Sequence, residues 1–446
     1  MRVKKIDSVY YTKKIGNWKQ EPSFNSFYFD SREVKQNSLF VAHKGETVNA
    51  NKFIKDAYVK GASFIIAENE EFIPEKIDIP VLITDDVIRT MQDIVRLIRH
   101  DNREKKIIGI TGTTGKTSTK DIMYSVLSEK FKTGKTEGNM NTEWGVPYTF
   151  LNNIDKDILV IEMGMDHPGD IKKLTEALQP DISIITNISP VHLKYMGSMD
   201  KIYRGKTDVF RYSDNSFLKL IKGDDDYSKR AKKEFANVKT YGKNENNDYS
   251  FELIDSKKNI KFEFFGENYE LNLWGEFNIY NSLPAIIVAK ELGIDYTQIK
   301  KGLKKVNISS NRINIIEKKG KIIINDTYNS SPSALKAVVD EMKKKYENKK
   351  KMLVLGDMLE LGRYSEKYHR ETVEYIEKNL HNKKCLFLGE EFNKLRNEYE
   401  SQNFYSSREK LFNDLKKLLD EYDVFLFKAS RGLKLEIVVN KVLGSI

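Results

Sequence analysis

Near-continuous apolar runs recur along this chain, and they constrain its fold more than any other feature. Three of them are "KKIIGIT" (105–111), "DILVIEMG" (157–164) and "DISIITNIS" (181–189). Such runs are typical of strands buried on both faces of a parallel sheet, because a half-exposed strand alternates apolar and polar residues. Stretches with apolar residues at helical spacing separate the runs. The alternation predicts an α/β fold.

With 446 residues, the chain is too long for one hydrophobic core, so we expect several domains. Short strand-like runs such as "SFIIAE" and "VLITDD" precede the central runs, and "KKMLVLGDM" and "YDVFLFKAS" follow them. We predict three domains: an N-terminal α/β domain (1–102), a central parallel-sheet domain similar to P-loop ATPases (103–312), and a C-terminal Rossmann-like domain (313–446).

The composition excludes several classes of protein. A hydrophobic content of 39% does not suit a disordered chain. The 75 basic residues are dispersed among 65 acidic ones, which argues against nucleic-acid binding. A single cysteine, Cys385, rules out a disulfide framework and fits a reducing compartment. No run reaches the ~18 apolar residues of a membrane span. We therefore expect a cytoplasmic protein without membrane insertion, and a monomer.

The stretch "ITGTTGKTST" (110–119) lies between an apolar run and a predicted helix, as a phosphate-binding loop does. Its spacing is G-x-x-G-K-T, two residues shorter than the usual G-x-x-x-x-G-K-[ST]. Gly112 and Gly115 would let backbone N–H groups curl around a phosphate. Lys116 would reach the β- and γ-phosphates, and the Thr117 hydroxyl would hold Mg²⁺. The alternative is a glycine turn with an exposed lysine.

Two further side chains follow strands of the same predicted sheet. Glu162 comes after four apolar residues, and His192 lies shortly after the next strand. Ligands of open α/β sheets bind at this carboxyl edge, so Glu162 is a candidate metal ligand and His192 a second one. A structural role for His192 is the alternative.

The short loop, Glu162 in "EMGMDHPGDI" and His192 in "TNISPVHL" resemble the Mur ligase family. The resemblance spans about residues 27 to 440. It implies an ATP- and Mg²⁺-dependent ligase that forms an amide on a cell-wall precursor through an acyl phosphate. The segments "EGNMNTEWGVPYTFL", "NDTYNSSPSALKAVVDEM", "LVLGDMLELGRYSEKYHRE" and "FKASRGLKLE" are similar to the branch that adds D-alanyl-D-alanine to a UDP-muramoyl tripeptide.

The resemblance also implies roles for particular residues. It implies ATP contacts from Gly112, Thr113, Thr114, Gly115, Lys116, Thr117, Ser118, Asn281 (adenine), Arg312 (phosphates) and Asp326 (ribose). It implies substrate contacts from Ser31 and Arg32 in the segment that meets the uridine nucleotide, from Asn141, and from Tyr328, Asn329 and Ser430 at the dipeptide end. The alternative for "DTYNSSP" is a strand-to-helix turn whose Ser and Pro residues cap the helix.

Lys206 in "YRGKTDVF" is implied to be carbamylated by CO₂, because it follows His192 at the distance where the family carries such a lysine. Its carbamate would bind or orient a second Mg²⁺, which makes Lys116, His192 and Lys206 the catalytic set. The alternative is a surface lysine that pairs with a nearby acid.

Other functions stay open. The family usually shows D-x-H where this chain has Asn49-Ala50-Asn51, in the nucleotide-sugar region. A Mur-type ligase with another acceptor or amine, such as a pseudomurein-type precursor, is therefore an alternative. A nucleotide-binding regulatory protein that does not ligate is another. The third residue of the acceptor peptide is not predicted.

Overall fold

The structure, a computed structural model, describes residues 1–257, 259–308 and 313–446. Three mainly parallel sheets follow one another along the chain, each covered by helices, and a small antiparallel sheet adjoins the second. The α/β fold predicted from the apolar runs is confirmed. None of the described helices has both the length and the apolarity needed to cross a bilayer.

The first sheet has the strand order β1-β5-β4-β3-β2, with β1 antiparallel to β5 and the other neighbours parallel. Its elements are β1 (Lys13–Ile15), β2 (Ser26–Tyr28), β3 (Ser38–Ala42), α1 (Ile54–Val59), β4 (Ala62–Ala67), β5 (Val81–Ile83) and α2 (Val87–Asp101). Asp86 caps α2 by accepting a hydrogen bond from the Arg89 N–H. The strand-like runs "SFIIAE" and "VLITDD" are β4 and β5, whereas the short strands β1 and β2 were not predicted.

The second sheet is fully parallel, with the order β12-β11-β10-β9-β6-β8-β7. Its strands are β6 (Lys106–Thr111), β7 (Thr133–Lys135), β8 (Ile158–Glu162), β9 (Ile182–Ile185), β10 (Leu218–Lys222), β11 (Val238–Gly242) and β12 (Tyr249–Ser250). The helices between them are α3 (Lys116–Leu127), α4 (Gly145–Asn152), α5 (Asp170–Leu178), α6 (Leu193–Met196), α7 (Met199–Arg211) and α8 (Asp226–Glu234). Strands β8 and β9 flank β6 on opposite sides, so the carboxyl ends of these three strands form a topological switch point.

A three-stranded antiparallel sheet and two helices complete the central part of the chain. They are β13 (Glu252–Asp255), β14 (Ile260–Phe264), β15 (Glu267–Leu271), α9 (Phe277–Glu291) and α10 (Tyr296–Lys304). This sheet was not predicted. Helix α9 packs along α3, the helix that follows the glycine loop, and buries an apolar core with it.

The third sheet has the order β16-β17-β21-β18-β19-β20, parallel except for β16. Its strands are β16 (Asn314–Lys318), β17 (Lys321–Asp326), β18 (Lys351–Gly356), β19 (Lys383–Leu388), β20 (Asn403–Tyr405) and β21 (Val424–Lys428). Its helices are α11 (Pro332–Lys345), α12 (Ser365–Asn379), α13 (Glu390–Asn393), α14 (Arg408–Lys417) and α15 (Glu436–Ser445). Ser331 caps α11 and Pro332 is its first residue, as the sequence predicts.

Candidate active site

The glycine loop joins β6 to α3 at the switch point. The backbone angles of its two glycines and the atoms close to them both require a residue without a side chain. Gly112 has φ 146° and Gly115 has φ 80°. A Cβ on Gly112 would lie 1.9 Å from Oγ1 of Thr186, and one on Gly115 would lie 2.4 Å from Oδ1 of Asn281. Larger residues would therefore open the loop.

The end of β9 holds this short loop in place. The N–H of Thr113 donates to the carbonyl oxygen of Asn187 (3.0 Å), and the N–H of Thr114 donates to Oδ1 of Asn187 (3.0 Å). The Thr186 hydroxyl donates to the carbonyl oxygen of Thr114 (2.6 Å). Sequence reasoning missed these two residues. The N–H groups of Thr113 and Thr114 are thus used within the protein, which leaves the N–H groups at the start of α3 as the donors for an anion.

Lys116 is half-buried, and it lines both clefts described below. Its Nζ donates to the carbonyl oxygens of Gly112 (2.9 Å) and Thr113 (3.3 Å). The ammonium group is therefore curled over its own loop, where a phosphate would lie. The alternative of a glycine turn with an exposed lysine does not fit this arrangement.

Glu162 ends β8 beside the loop and is 2% exposed. Its Oε2 accepts a hydrogen bond from the Thr117 hydroxyl (2.8 Å), and its Oε1 accepts one from Nδ2 of Asn141 (2.8 Å). The structure thus brings together three residues that the sequence analysis selected separately. A carboxylate and a hydroxyl at this distance form a donor set that suits Mg²⁺, which prefers oxygen ligands.

His192 follows β9 in the left-handed conformation (φ 50°) and faces two carboxylates. Its Nδ1 lies 2.5 Å from Oε2 of Glu360 and 3.4 Å from Oδ1 of Asp166. The hydrogen bond from His192 holds the pKa of Glu360 below its usual range, against the opposing effect of burial. Sequence analysis assigned no role to Glu360 or Asp166.

Lys206 lies on α7 and is 2% exposed, so the alternative of a surface lysine does not hold. Burial lowers its pKa well below the usual range, and the positive charge of Lys116 lowers it further, whereas Asp166 acts in the opposite direction. A buried lysine beside another cation keeps a larger share of free amine at neutral pH than an exposed one.

Two clefts meet at Lys116, and both are lined by the central and C-terminal parts of the chain. The larger, about 1090 Å³, includes the loop, Asn281, Asp326 and the aromatic residue Trp274. The smaller, about 420 Å³, includes Thr117, Asn141, Glu162, His192, Tyr328 and Asn329. Because Tyr328 and Asn329 border both clefts, the C-terminal residues lie over the phosphate loop.

Asp326 ends β17 and forms a buried ion pair that sequence reasoning did not foresee. Nζ of Lys428 lies 2.5 Å from Oδ2 of Asp326 and 3.0 Å from the carbonyl oxygen of Asn329. The pair fixes the first residues of the segment 326–331 against β21. Ser331 caps α11, as the helix-capping alternative for "DTYNSSP" predicts, and it also lines the larger cleft.

The remaining predicted residues lie farther from the loop. Ser430 is buried, and its hydroxyl accepts a hydrogen bond from the Leu359 N–H (2.9 Å). Ser31 is buried, and its carbonyl oxygen accepts from Nζ of Lys60. Arg32 is exposed, and hydrogen bonds from its guanidinium lower the pKa of Asp30 to about 2. Ser31, Arg32 and Ser430 are all absent from the lining of the two clefts. Arg312 lies outside the described residues.

The Asn49–Asn51 segment, where the sequence departs from the pattern of the family it resembles, has a structural role. Asn51 is buried, and its Oδ1 accepts hydrogen bonds from the N–H groups of Glu68 (3.1 Å) and Asn69 (3.3 Å). Its Nδ2 donates to Oδ1 of Asn49 (2.9 Å). Asn51 therefore fixes the end of β4.

Within the described part of the chain, no three His, Cys, Asp or Glu side chains converge as a metal cage. Mg²⁺ bound with nucleotides usually takes one or two protein carboxylates, phosphate oxygens and water, so it does not require such a cage.

The chain is similar to known proteins along most of its length. Residues 110–289 match the Mur ligase middle domain, and residues 311–431 match the Mur ligase glutamate ligase domain. The UDP-N-acetylmuramoyl-tripeptide–D-alanyl-D-alanine ligase of Bacillus subtilis is 31% identical over 93% of this chain and 92% of its own.

Two solved structures resemble the whole chain. MurF from Acinetobacter baumannii superposes with a TM-score of 0.84 at 26% identity, over 96% of this chain and 94% of that one. MurF from Thermotoga maritima, solved in complex with ADP, gives 0.81 at 28% identity, over 94% and 97%.

Proposed function

We propose that this chain, which belongs to the Mur ligase family of ATP-dependent C–N ligases, joins D-alanyl-D-alanine to a UDP-N-acetylmuramoyl tripeptide. The observation that carries the proposal is the smaller cleft, where Lys116 and Glu162 of the central part face Tyr328 and Asn329 of the C-terminal part. A ligase needs this arrangement, because the phosphoryl group of ATP and both reacting groups must meet.

ATP would occupy the larger cleft, with its phosphates on the loop. The donors at the start of α3 and the Lys116 ammonium supply positive charge beside the β- and γ-phosphates. Asn281 and Asp326 line the same cleft, and we assign them to the adenine and the ribose. Asp326 keeps one carboxylate oxygen beyond its bond to Lys428 for that purpose.

The reaction requires activation of a carboxylate, since oxide is not a usable leaving group. An oxygen of the acceptor carboxylate attacks the γ-phosphorus, the bond to the β–γ bridging oxygen breaks, and ADP leaves. The amine then attacks the carbonyl carbon of the acyl phosphate. Inorganic phosphate departs with the oxygen that the carboxylate contributed, and the nitrogen loses a proton. Both steps gather negative charge near Lys116, which stabilises it without reorganisation.

We assign Mg²⁺ to Thr117, Glu162 and His192. The donor set supports this, because the Glu162 carboxylate is buried and hydrogen bonds from Thr117 and Asn141 fix both of its oxygens. Bound there, the ion would neutralise phosphate charge. Asn141 then acts through Glu162, by fixing the orientation of the carboxylate.

We also propose that Lys206 is carbamylated. Its amine nitrogen would attack the carbon of CO₂ and lose a proton, forming an N–C bond and a carboxylate. Burial and the neighbouring Lys116 favour the free amine that this step needs. The product places an anion near the Lys116 ammonium, where a protonated Lys206 would place a second buried cation.

The substrates would approach from opposite sides. We assign Ser31 and Arg32 to the uridine nucleotide and Tyr328, Asn329 and Ser430 to the dipeptide. We propose that the enzyme acts as a monomer. We place it in the cytoplasm, the compartment that supplies ATP.

The proposal is tested by ADP release from purified enzyme with ATP, Mg²⁺ and UDP-N-acetylmuramoyl tripeptides that carry either lysine or meso-diaminopimelate. We expect strong stimulation by D-alanyl-D-alanine and little by L-alanyl-L-alanine. Equal stimulation by D-alanine or meso-diaminopimelate alone would mean that the enzyme uses a different amine substrate within the family. ADP release without any amine requirement would contradict a ligase.

A further inference from the structure

The segment that follows β18 in the C-terminal domain reaches across to the central domain at His192. Besides the 2.5 Å contact between Oε2 of Glu360 and Nδ1 of His192, the N–H of Lys194 donates to the carbonyl oxygen of Glu360 (2.9 Å). A Cβ on Gly362 would lie 2.9 Å from Cα of Lys194, so the two backbones touch. Glu360 is thus held at His192 by its backbone as well as by its side chain.

The C-terminal domain fixes this segment from behind. The Leu359 N–H donates to the Ser430 hydroxyl (2.9 Å), and the Met358 N–H donates to Nε2 of the fully buried His369 (3.0 Å). Asp357 accepts hydrogen bonds from two N–H groups at the start of α13. These hydrogen bonds therefore attach the segment that carries Glu360 to the core of the C-terminal domain, and they fix its position relative to that domain.

The geometry at His192 distinguishes its two ring nitrogens. Both nearby carboxylates, Glu360 and Asp166, approach Nδ1. A carboxylate only accepts hydrogen bonds, so Nδ1 carries the hydrogen and the lone pair of a neutral ring is on Nε2. Histidines that bind metals are commonly oriented in this way by a carboxylate on the other nitrogen.

We propose that Glu360 is a positioning residue of the C-terminal domain, which fixes His192 of the central domain in the tautomer and orientation needed to bind a divalent cation. This rests on the proposed function. Asp166, the other carboxylate at Nδ1, belongs to the same central domain as His192. Its 3.4 Å separation and greater exposure make it the weaker partner. Cation binding at His192 then depends on one hydrogen bond from the C-terminal domain.

The test compares Glu360→Ala and Glu360→Gln with the wild type, and uses Glu409→Ala, an exposed glutamate on α14, as the matched control. Glutamine keeps an oxygen that accepts from Nδ1. Side-chain ¹⁵N NMR of histidine-labelled enzyme reports the tautomer directly, and a His192→Gln variant assigns the signal among six histidines. Mn²⁺ binding in the presence of ADP is measured by electron paramagnetic resonance, alongside kcat and KM for ATP.

We expect Glu360→Ala to lose the Nδ1–H tautomer, to weaken Mn²⁺ binding about tenfold or more, and to lower kcat with little change in KM. Glu360→Gln should keep the tautomer and recover most of both, and Glu409→Ala should match the wild type. The inference would be overturned if Glu360→Ala kept the wild-type tautomer and Mn²⁺ affinity. It would also be overturned if Glu360→Gln lost as much Mn²⁺ affinity as Glu360→Ala. A wild-type enzyme that fails to ligate would instead refute the proposed function.

Discussion

Nζ of Lys116 donates a hydrogen bond of 2.9 Å to the carbonyl oxygen of Gly112, within the loop that the lysine follows. This contact keeps the ammonium group over the place where a phosphate would bind. Since the lysine supplies charge to the site, its removal should affect ATP turnover far more than folding.

We expect Lys116→Ala to reduce ADP release at least a hundredfold, because it removes preorganised positive charge from the phosphoryl group. Its thermal midpoint should stay near that of the wild type. Lys229→Ala, on the exposed face of α8, is the matched control and should keep full activity. Near wild-type ADP release by Lys116→Ala would show that the loop does not bind phosphate.

Lys206→Ala should lose most ligase activity and regain part of it when acetate is added, because a small carboxylate can occupy the space of the carbamate. Lys201→Ala on the same helix is the control, since Lys201 is exposed. At high bicarbonate, mass spectrometry should show an added mass of about 44 Da, the mass of CO₂, on the wild type. The alanine variant should show no such addition. Full activity in Lys206→Ala, or no added mass, would refute carbamylation.

Arg99 joins the N-terminal domain to the central one, and its loss should destabilise the protein. It is 1% exposed at the end of α2, where it donates to the carbonyl oxygen of Leu178 (2.9 Å) and pairs with Asp181 (2.8 Å). We expect Arg99→Met to cost about 3 kcal/mol, because it removes the close cation at the buried Asp181 and leaves only the longer contact with Lys106 (3.7 Å).

Differential scanning calorimetry should therefore show a midpoint lowered by about 5 °C or more for Arg99→Met. The exposed Arg96 on the same helix gives the control, Arg96→Met, which should shift the midpoint by less than about 2 °C. Equal midpoints for the two variants would mean that Arg99 does not hold the domains together.

Cys385 should react slowly with alkylating reagents in the native state. It is buried in β19, and burial raises the pKa of its thiol to about 12. Only the thiolate reacts, so the native rate should rise about tenfold per pH unit between pH 8 and 10. In denaturant the same thiol should titrate near its ordinary value and react at once at pH 8. Rapid modification of native protein at pH 8 would contradict the burial.

The parallel sheets were predictable because strands buried on both faces leave continuous apolar runs, as in "DILVIEMG". The antiparallel sheet was missed although "IKFEFFGENYEL" alternates apolar and polar residues with a glycine turn, the pattern of half-exposed strands. That signal was present in the sequence.

Contacts across the site differ in how far they can be predicted. Thr117 and Glu162 could be paired from sequence, because they lie at the carboxyl ends of two neighbouring strands of one sheet. Glu360 could not, because its contact with His192 depends on how two domains pack, and no local pattern encodes that distance. Asn187 was missed for a related reason: its bonds to the loop became evident only from the register of β9 beside β6.

The most direct test of the account follows the oxygen atoms of the acceptor. UDP-N-acetylmuramoyl tripeptide labelled with ¹⁸O in the reacting carboxylate is incubated with enzyme, ATP, Mg²⁺ and D-alanyl-D-alanine, and the inorganic phosphate is analysed by mass spectrometry. We predict one ¹⁸O in each phosphate released and a pentapeptide product of matching amount, because the carboxylate oxygen leaves with the phosphoryl group. Phosphate without ¹⁸O, or ADP formed without the peptide product, would contradict ligation through an acyl phosphate.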